Sequence, residues 1–308
     1  MRVENLTLTN FRNYQFTQVD LASGVTLIVG PNASGKTTLL EAIAFLSRGK
    51  SPKTAQDKTM LRWGESEGLV RIKQVSDVGV YQTLEARIGS SPHSEIVRTK
   101  FKQNDKPVRS RAEVVGKTPT VLFFASDLLL LRGAPEDRRQ MLDQALTQFD
   151  PQYCELLHRY QQIRTQKNAV LKQYFEQPQP DILQALNAQI IEVGSQIIER
   201  RLQYLEAQSQ WLETSYAHIA DQKSNFSESF SERLLLSYLG TICTDGDKSV
   251  LSTKLSLPEI KQAYSNAIHR RQQDEIRRGL VLVGPHRDDI LFTLDNQNAA
   301  EYASQGQQ

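Results

Sequence analysis

Cysteine is scarce in this chain. The two present, Cys154 and Cys243, are far apart and form no C-x-x-C pair, which excludes a disulfide framework, argues against a zinc site and suits a reducing cytoplasm. No run of about 18 apolar residues occurs, so no transmembrane helix and no membrane contact are expected. The opening residues, MRVENLTLTNFRN, lack an apolar core segment and do not read as a secretory signal. An excess of charge is missing too: 37 Lys and Arg stand against 35 Asp and Glu, for a net charge of +2. A nucleic-acid surface, if there is one, must therefore come from local clustering. Internal repeats and low-complexity tracts are absent. What remains is an ordinary soluble composition, 39% hydrophobic and 23% charged, on 308 residues, enough for two lobes.

The most informative stretch runs from Val25 to Phe45. VTLIV (25–29) reads as a short buried strand, and Leu39, Leu40, Ile43, Ala44 and Leu46 recur at helical spacing. Between them Gly30, Gly35, Lys36 and Thr37 make the pattern G-x-x-x-x-G-K-T in a strand–loop–helix setting. Glycines let the backbone curl so that successive N–H groups face phosphate oxygens, and the first helical turn adds unsatisfied N–H groups and a partial positive charge. Lys36 would reach the β- and γ-phosphates, and the Thr37 hydroxyl would hold Mg²⁺. The expected ligand is a nucleoside triphosphate with Mg²⁺.

Around this loop the pattern alternates between β and α character. Val3, Leu6 and Leu8, then Phe16 and Val19, predict two strands ahead of VTLIV. Ser47 to Glu67 is polar and reads as a loop, after which LVRIKQV (69–75), VYQTLEARI (80–88) and EIVRTKF (95–101) predict an antiparallel sheet. TVLFF (120–124) is a further buried-strand candidate. Asp127 to Asp150 turns helical, and two long amphipathic runs follow on either side of QPQPD (177–181), whose prolines break the helix. They predict an antiparallel helical hairpin with Arg200 on its apolar seam. Leu234 to Leu239 is apolar within a polar region. After Gly279, LVLV (280–283) and ILFTL (290–294) read as strands joined by GPHRDD (284–289). The expected organisation is an ATPase head over 1–126, an inserted helical lobe over 127–278, and a return to the head over 279–308.

From Glu95 to Lys117 seven cations (Arg98, Lys100, Lys102, Lys106, Arg109, Arg111 and Lys117) face three carboxylates. Such a stripe is a candidate DNA-binding surface with salt-sensitive affinity, or a solvated basic face. Asp127, Asp288 and Asp289 do not sit at the tip of an apolar strand where they would hold Mg²⁺, so they read as turn and cap carboxylates. Arg138 and Arg139 are expected to pair with acidic residues, and His286 to be structural.

ASQGQQ, the final residues, resembles the signature loop of ABC-type ATPases, in which Ser304, Gly306 and Gln307 would contact a nucleotide held by a second subunit. Four patches together resemble the RecF family: LTNFRNY (8–14), the P-loop with LLEAI (39–43), DLLLLRGAPEDRRQMLDQAL (127–146) with YQQIRTQKNAVLK (160–172), and GPHRDDI (284–290) with YASQGQ (302–307). Ala125-Ser126 departs from a proline common at that turn. The resemblance implies an α/β, P-loop ABC-type head with an antiparallel β subdomain and an inserted helical hairpin. It further implies ATP and Mg²⁺ as cofactors, a head-to-tail dimer, binding to single-stranded and gapped DNA, and action with RecR and RecO in loading the RecA recombinase during gap repair and the SOS response. By residue, Gly30, Pro31, Asn32, Ala33, Ser34, Gly35, Lys36, Thr37 and Thr38 would cradle the phosphates, and Arg12 would approach them in cis. The family is a weak DNA-stimulated ATPase. The Mg²⁺-holding strand is expected beyond Gln308, so this chain reads as C-terminally truncated and is expected to hydrolyse ATP negligibly. Competing readings are a non-catalytic truncated product, and another P-loop enzyme such as a kinase or transporter ATPase subunit.

Overall fold

The structure, a computed structural model, describes residues 1–54, 56–90, 97–124, 127, 130–221, 233–243 and 248–302. The chain divides into two compact units. The first takes Met1–Leu122 with Thr147–Pro151, and the second takes Phe123–Leu146 with the chain from Gln152 onward.

The first unit is built on a six-stranded antiparallel sheet. Its strands are β1 (Arg2–Phe11), β2 (Tyr14–Asp20), β3 (Glu67–Val75), β4 (Tyr81–Ser90), β5 (Val97–Gln103) and β6 (Lys106–Pro107), in the order β2-β1-β3-β4-β5-β6. Period-2 patterning fixes the register: Leu6 pairs with Ile72 and Ile72 with Leu84, so all three fall on one buried face. Helix α1 (Lys36–Arg48) covers this face with Leu39, Ala42, Phe45 and Leu46, and the Phe45 ring lies 5.8 Å from that of Phe101. Burying each such large side chain contributes roughly 1.5–3 kcal/mol, which seats the N-terminus of α1 on a rigid layer.

The second unit is mainly helical, with α2 (Pro135–Phe149) shared at its end with the first unit, α3 (Pro151–Gln173), α4 (Pro180–Asp221) and α5 (Leu257–Arg278). The expected helical hairpin is present, and its break falls at the Pro-rich turn before Pro180. Helix α5 begins where the Glu259 carboxylate accepts from the Ser256 backbone N–H at 2.8 Å, the reciprocal half of a capping box, and stops at Gly279. A four-stranded sheet completes the unit in the order β10-β9-β7-β8, from β7 (Leu234–Gly240), β8 (Ser249–Val250), β9 (Asp289–Leu294) and β10 (Gln297–Asn298), followed by the short α6 (Ala299–Tyr302). Ile190, Val193 and Ile197 of α4 join Ile260 and Tyr264 of α5 in its core.

Several expectations are corrected. Residues 25–29 and 120–124 form no strand, and Val25, Leu27, Val29, Val121 and Phe123 are exposed. An apolar run becomes a strand only where a neighbour supplies a hydrogen-bonding edge, and among the described residues none runs beside either segment. Residues 280–283 are buried at Val281 and Val283 but irregular, because their backbone bonds go to side chains: the Val281 N–H donates to Asn168 and the Leu282 N–H to Glu275, both at 2.8 Å. Residues 279–302 lie in the second unit. Strand β9 pairs with β7 from Leu234↔Leu294 to Leu239↔Asp289, which fixes it in the second. The buried arginine of α4 is Arg201, 2% exposed, and not Arg200, since the 190–193–197 stripe continues at 201.

Candidate nucleotide-binding site

The loop from Gly30 to Gly35 leads straight into α1, whose first residue is Lys36. Gly35 has φ +100°, a backbone conformation that other residues rarely adopt, so the turn into α1 favours glycine. The Lys36 ammonium donates to the Gly30 and Pro31 carbonyls at 2.8 and 2.7 Å, and the Asn13 amide donates to the Ser34 carbonyl at 3.3 Å. These bonds hold the loop curled over the helix N-terminus. Above it opens a cleft of about 720 Å³, well sized for a cofactor. Asn32, Ala33, Gly35, Lys36, Thr37 and Thr38 form its floor, and Arg12, Asn13, Lys53, Thr59, Leu61 and Trp63 its walls. Gly30, Pro31 and Ser34 shape the loop without lining the cleft.

Arg12 enters the cleft from the tight link between β1 and β2, in the left-handed region at φ +55°. Its backbone N–H donates to Met60 at 2.7 Å, and its guanidinium donates to both oxygens of Glu41 at 2.6 and 3.2 Å and to the Thr59 carbonyl at 2.8 Å. Glu41 is 1% exposed on α1, and it also accepts from Ser51 at 2.6 Å. A buried carboxylate with these partners fixes one edge of the guanidinium. Sequence reasoning missed Glu41, a polar residue within an apolar helical face. It also missed Lys53, Thr59, Leu61 and Trp63, which lie in a polar loop without periodicity. Asn13 was within reach, since it belongs to the F-R-N patch.

The residues expected to meet a nucleotide from a second subunit, Ser304, Gly306 and Gln307, lie outside the described residues, as do Ala125 and Ser126. Thr37 lines the cleft at the first helical turn, which fits a Mg²⁺ that arrives with a nucleotide. Among the described residues no cluster of His, Cys, Asp or Glu could hold a metal by itself.

The basic stripe separates into two groups. Arg98, Lys100, Lys106 and Arg109 are exposed. Lys102 stands 4.0 Å from the buried Glu85, while Arg111 pairs with Asp57 and lies 5.9 Å over the Phe101 ring. Arg111 is therefore a structural group as well as a cation. The register adds cations that linear reading could not group: Lys100 stands opposite Arg87, and Lys102 opposite Glu85, which faces Arg71. Lys73 is exposed on the same face as Arg71.

Comparison with known proteins agrees with this geometry. The family model described as "AAA domain" matches residues 5–275, which places the P-loop cleft and its frame in a class of ATP-handling proteins. The DNA replication and repair protein RecF of Bacillus subtilis (strain 168) is 33% identical over 317 residues, covering all of this chain and 78% of that protein. RecF of Desulfitobacterium hafniense (strain Y51) is 33% identical over 312 residues, with the same coverage of 100% and 78%. The chain belongs to the RecF family. A solved structure titled as the recombination mediator protein RecF-ATP in the RecFOR pathway superposes with a TM-score of 0.83 at 27% identity, covering 99% of this chain and 76% of that one. Its RecF-ATPrS counterpart gives 0.84 at 26% identity, covering 99% and 77%. The expected fold class, an α/β P-loop head with an antiparallel β subdomain and a helical lobe, holds.

Proposed function

We propose that this chain binds ATP with Mg²⁺ in the cleft above Lys36 and uses it to control binding to DNA in replication and recombinational repair. One observation carries the reading: a P-loop curled over a helix N-terminus, with Lys36, Thr37 and Arg12 lining one cleft, in a member of the RecF family. Phosphates would displace Lys36 from the Gly30 and Pro31 carbonyls and collect the loop N–H groups. Thr37 would supply a hydroxyl ligand to Mg²⁺ riding on the nucleotide, where the ion would neutralise phosphate charge. Arg12, steadied by Glu41, keeps N–H groups for a phosphate oxygen, and Trp63, 98% exposed on the cleft wall, offers its ring to the base.

Relatives named as DNA replication and repair proteins, and solved structures placed in the RecFOR pathway, support DNA as substrate and RecO and RecR as partners. On this reading ATP closes two copies head to tail, with Ser304, Gly306 and Gln307 of one reaching the nucleotide of the other. The dimer then marks single-stranded gaps in the cytoplasm for RecA loading. Arg98, Lys100, Lys106 and Arg109, with Arg87 and Lys73, form the first candidate surface for the DNA backbone. None of the helices among the described residues is long and apolar enough to cross a membrane.

The test is binding to a labelled gapped duplex with and without ATP, next to sedimentation of the same samples. ATP should tighten DNA binding and raise the sedimenting mass to that of a dimer. DNA affinity and mass that ignore ATP would overturn the reading.

A further inference from the structure

The segment GPHRDD forms a turn on which an unusual share of the second unit's polar groups converges. The Gly284 N–H donates to the Thr241 hydroxyl at 2.8 Å, and the Arg287 N–H closes the turn onto the Gly284 carbonyl at 2.8 Å. Gly284 has φ +123°, and a Cβ there would collide with the Tyr264 hydroxyl. The Pro285 carbonyl accepts from Arg201 at 2.8 Å. Both ring nitrogens of His286 are occupied, one by the Tyr160 hydroxyl at 2.8 Å and the other by the Val281 carbonyl at 3.2 Å. Asp288, fully buried, accepts from Tyr238 at 2.8 Å, from the Thr241 hydroxyl at 2.7 Å and from the Thr241 N–H at 2.8 Å. Asp289 takes Arg138 through two bonds, at 2.9 and 3.0 Å.

Burying Asp288 and Arg201 costs several kcal/mol of desolvation per ion, and apolar residues would fill the space at less cost. A fully satisfied buried network of this kind holds the turn rigid. Only one side chain of the turn is exposed and unengaged, and it is Arg287. Arg164 lies one helical turn beyond Tyr160 on α3, and the Tyr160 hydroxyl is the one bonded to the His286 ring. Arg139 donates to the Asp288 carbonyl at 2.7 Å and has further N–H groups to give. Among the described residues neither Arg164 nor Arg287 meets a carboxylate, although Arg138 and Arg201 nearby each have one. The charges of Arg164, Arg287 and Arg139 all bear on the His286 ring and, behind burial, help hold it neutral.

We infer that the 284–289 turn is a platform presenting Arg287, Arg164 and Arg139 to the phosphodiester backbone of DNA. Guanidinium groups suit this role because their planar forks donate to two phosphate oxygens at once. Tyr160 and Tyr264 beneath the turn are buried, so no ring is offered to stack a base, and the contact reads charge and position rather than sequence. This inference rests on the DNA-binding reading above and adds a second contact surface to the basic face of the first unit.

The experiment compares the full chain with Arg164→Gln/Arg287→Gln, using a labelled gapped duplex across a salt series and a fluorescent ATP analogue in parallel. Removing two phosphate contacts should weaken DNA binding by at least about tenfold and lower the slope of log affinity against log salt by about 2, each lost contact accounting for about one. Affinity for the ATP analogue and the melting temperature should stay unchanged. Arg164→Lys/Arg287→Lys should restore the slope, because the charges return. Wild-type DNA affinity and slope in the Gln variant would overturn the inference, as would loss of ATP-analogue binding instead. A wild-type chain that binds no DNA under any condition would overturn the proposed function with it, whereas normal wild-type binding beside an unaffected variant overturns this site alone.

Discussion

Lys167 and Glu275 form a salt bridge at 2.6 Å between α3 and α5, with side-chain exposures of 0% and 1%. Glu275 also accepts from the Leu282 N–H at 2.8 Å, so it ties two helices to the segment entering the GPHRDD turn. Burial pushes the Lys167 ammonium below its ordinary pKa, and the Glu275 carboxylate opposes that fall through its charge and a hydrogen bond. Glu275→Gln keeps the shape and the bond to Leu282 but strands the ammonium. Breaking a buried pair from one side costs about 3–5 kcal/mol. A ceiling follows from proton loss. Lys167 escapes by deprotonating, which from an unfolded pKa of about 10.4 costs about 4.6 kcal/mol at pH 7, at about 1.4 kcal/mol per pH unit. The sign is fixed: with the folded pKa below the unfolded one, the unfolded chain holds more protons, so stability of the variant rises with pH up to about 10.4. Calorimetric melting of wild type and Glu275→Gln should therefore differ by roughly 6–20 °C at pH 7, at about 2–4 °C per kcal/mol. The gap should close by roughly half at pH 9. Lys167→Met/Glu275→Gln should recover most of the loss. A pH-independent penalty, or one below about 1 kcal/mol, would refute the buried-pair account.

Three further outcomes follow from the same structure. His286 is held neutral, its pKa lowered to about 3 by burial and by the neighbouring arginines. The unfolded chain takes up that proton near pH 6.5, so stability should be full above pH 6.5 and fall by up to about 1.4 kcal/mol per unit toward pH 3. Denaturant melts of His286→Asn should lack that part of the slope. Gly284→Ala should lose about 3 kcal/mol or more, since it adds a clash with Tyr264 to a backbone conformation disfavoured for alanine; a shift within about 0.5 kcal/mol would show that the turn is not fixed as described. In a Trp211→Phe background, ATP should quench the fluorescence of Trp63, the one remaining tryptophan, and an unchanged spectrum would remove it from the base site.

Period-2 alternation placed β1 to β5 because one face of their sheet is buried and the other is wet. The P-loop was legible because its chemistry needs glycine and lysine at fixed spacing. The helical hairpin was legible from its stripe and its prolines. What the residues did not disclose depends on partners distant in the chain. VTLIV and TVLFF have strand composition, yet strand formation needs an adjacent edge, which composition does not report. Arg201, Lys167 and Glu41 are charges on otherwise apolar helical faces, and only the fold supplies Asp143, Glu275 and Arg12 to neutralise them. The same holds for GPHRDD. Its side chains reach five separate segments, so its role as a fixed turn could not be read locally. Lys53 and Trp63 come to the cleft on a loop without periodicity, and nothing in their immediate sequence marks them.

The central claim is that the cleft above Lys36 takes ATP. Calorimetric titration of ATP with Mg²⁺ into this chain and into Lys36→Ala tests it most directly. The account predicts saturable one-site binding by the wild type and a loss of at least about tenfold in the variant, equivalent to about 1.4 kcal/mol. Equal affinity in the two proteins, or no binding by either, would contradict it.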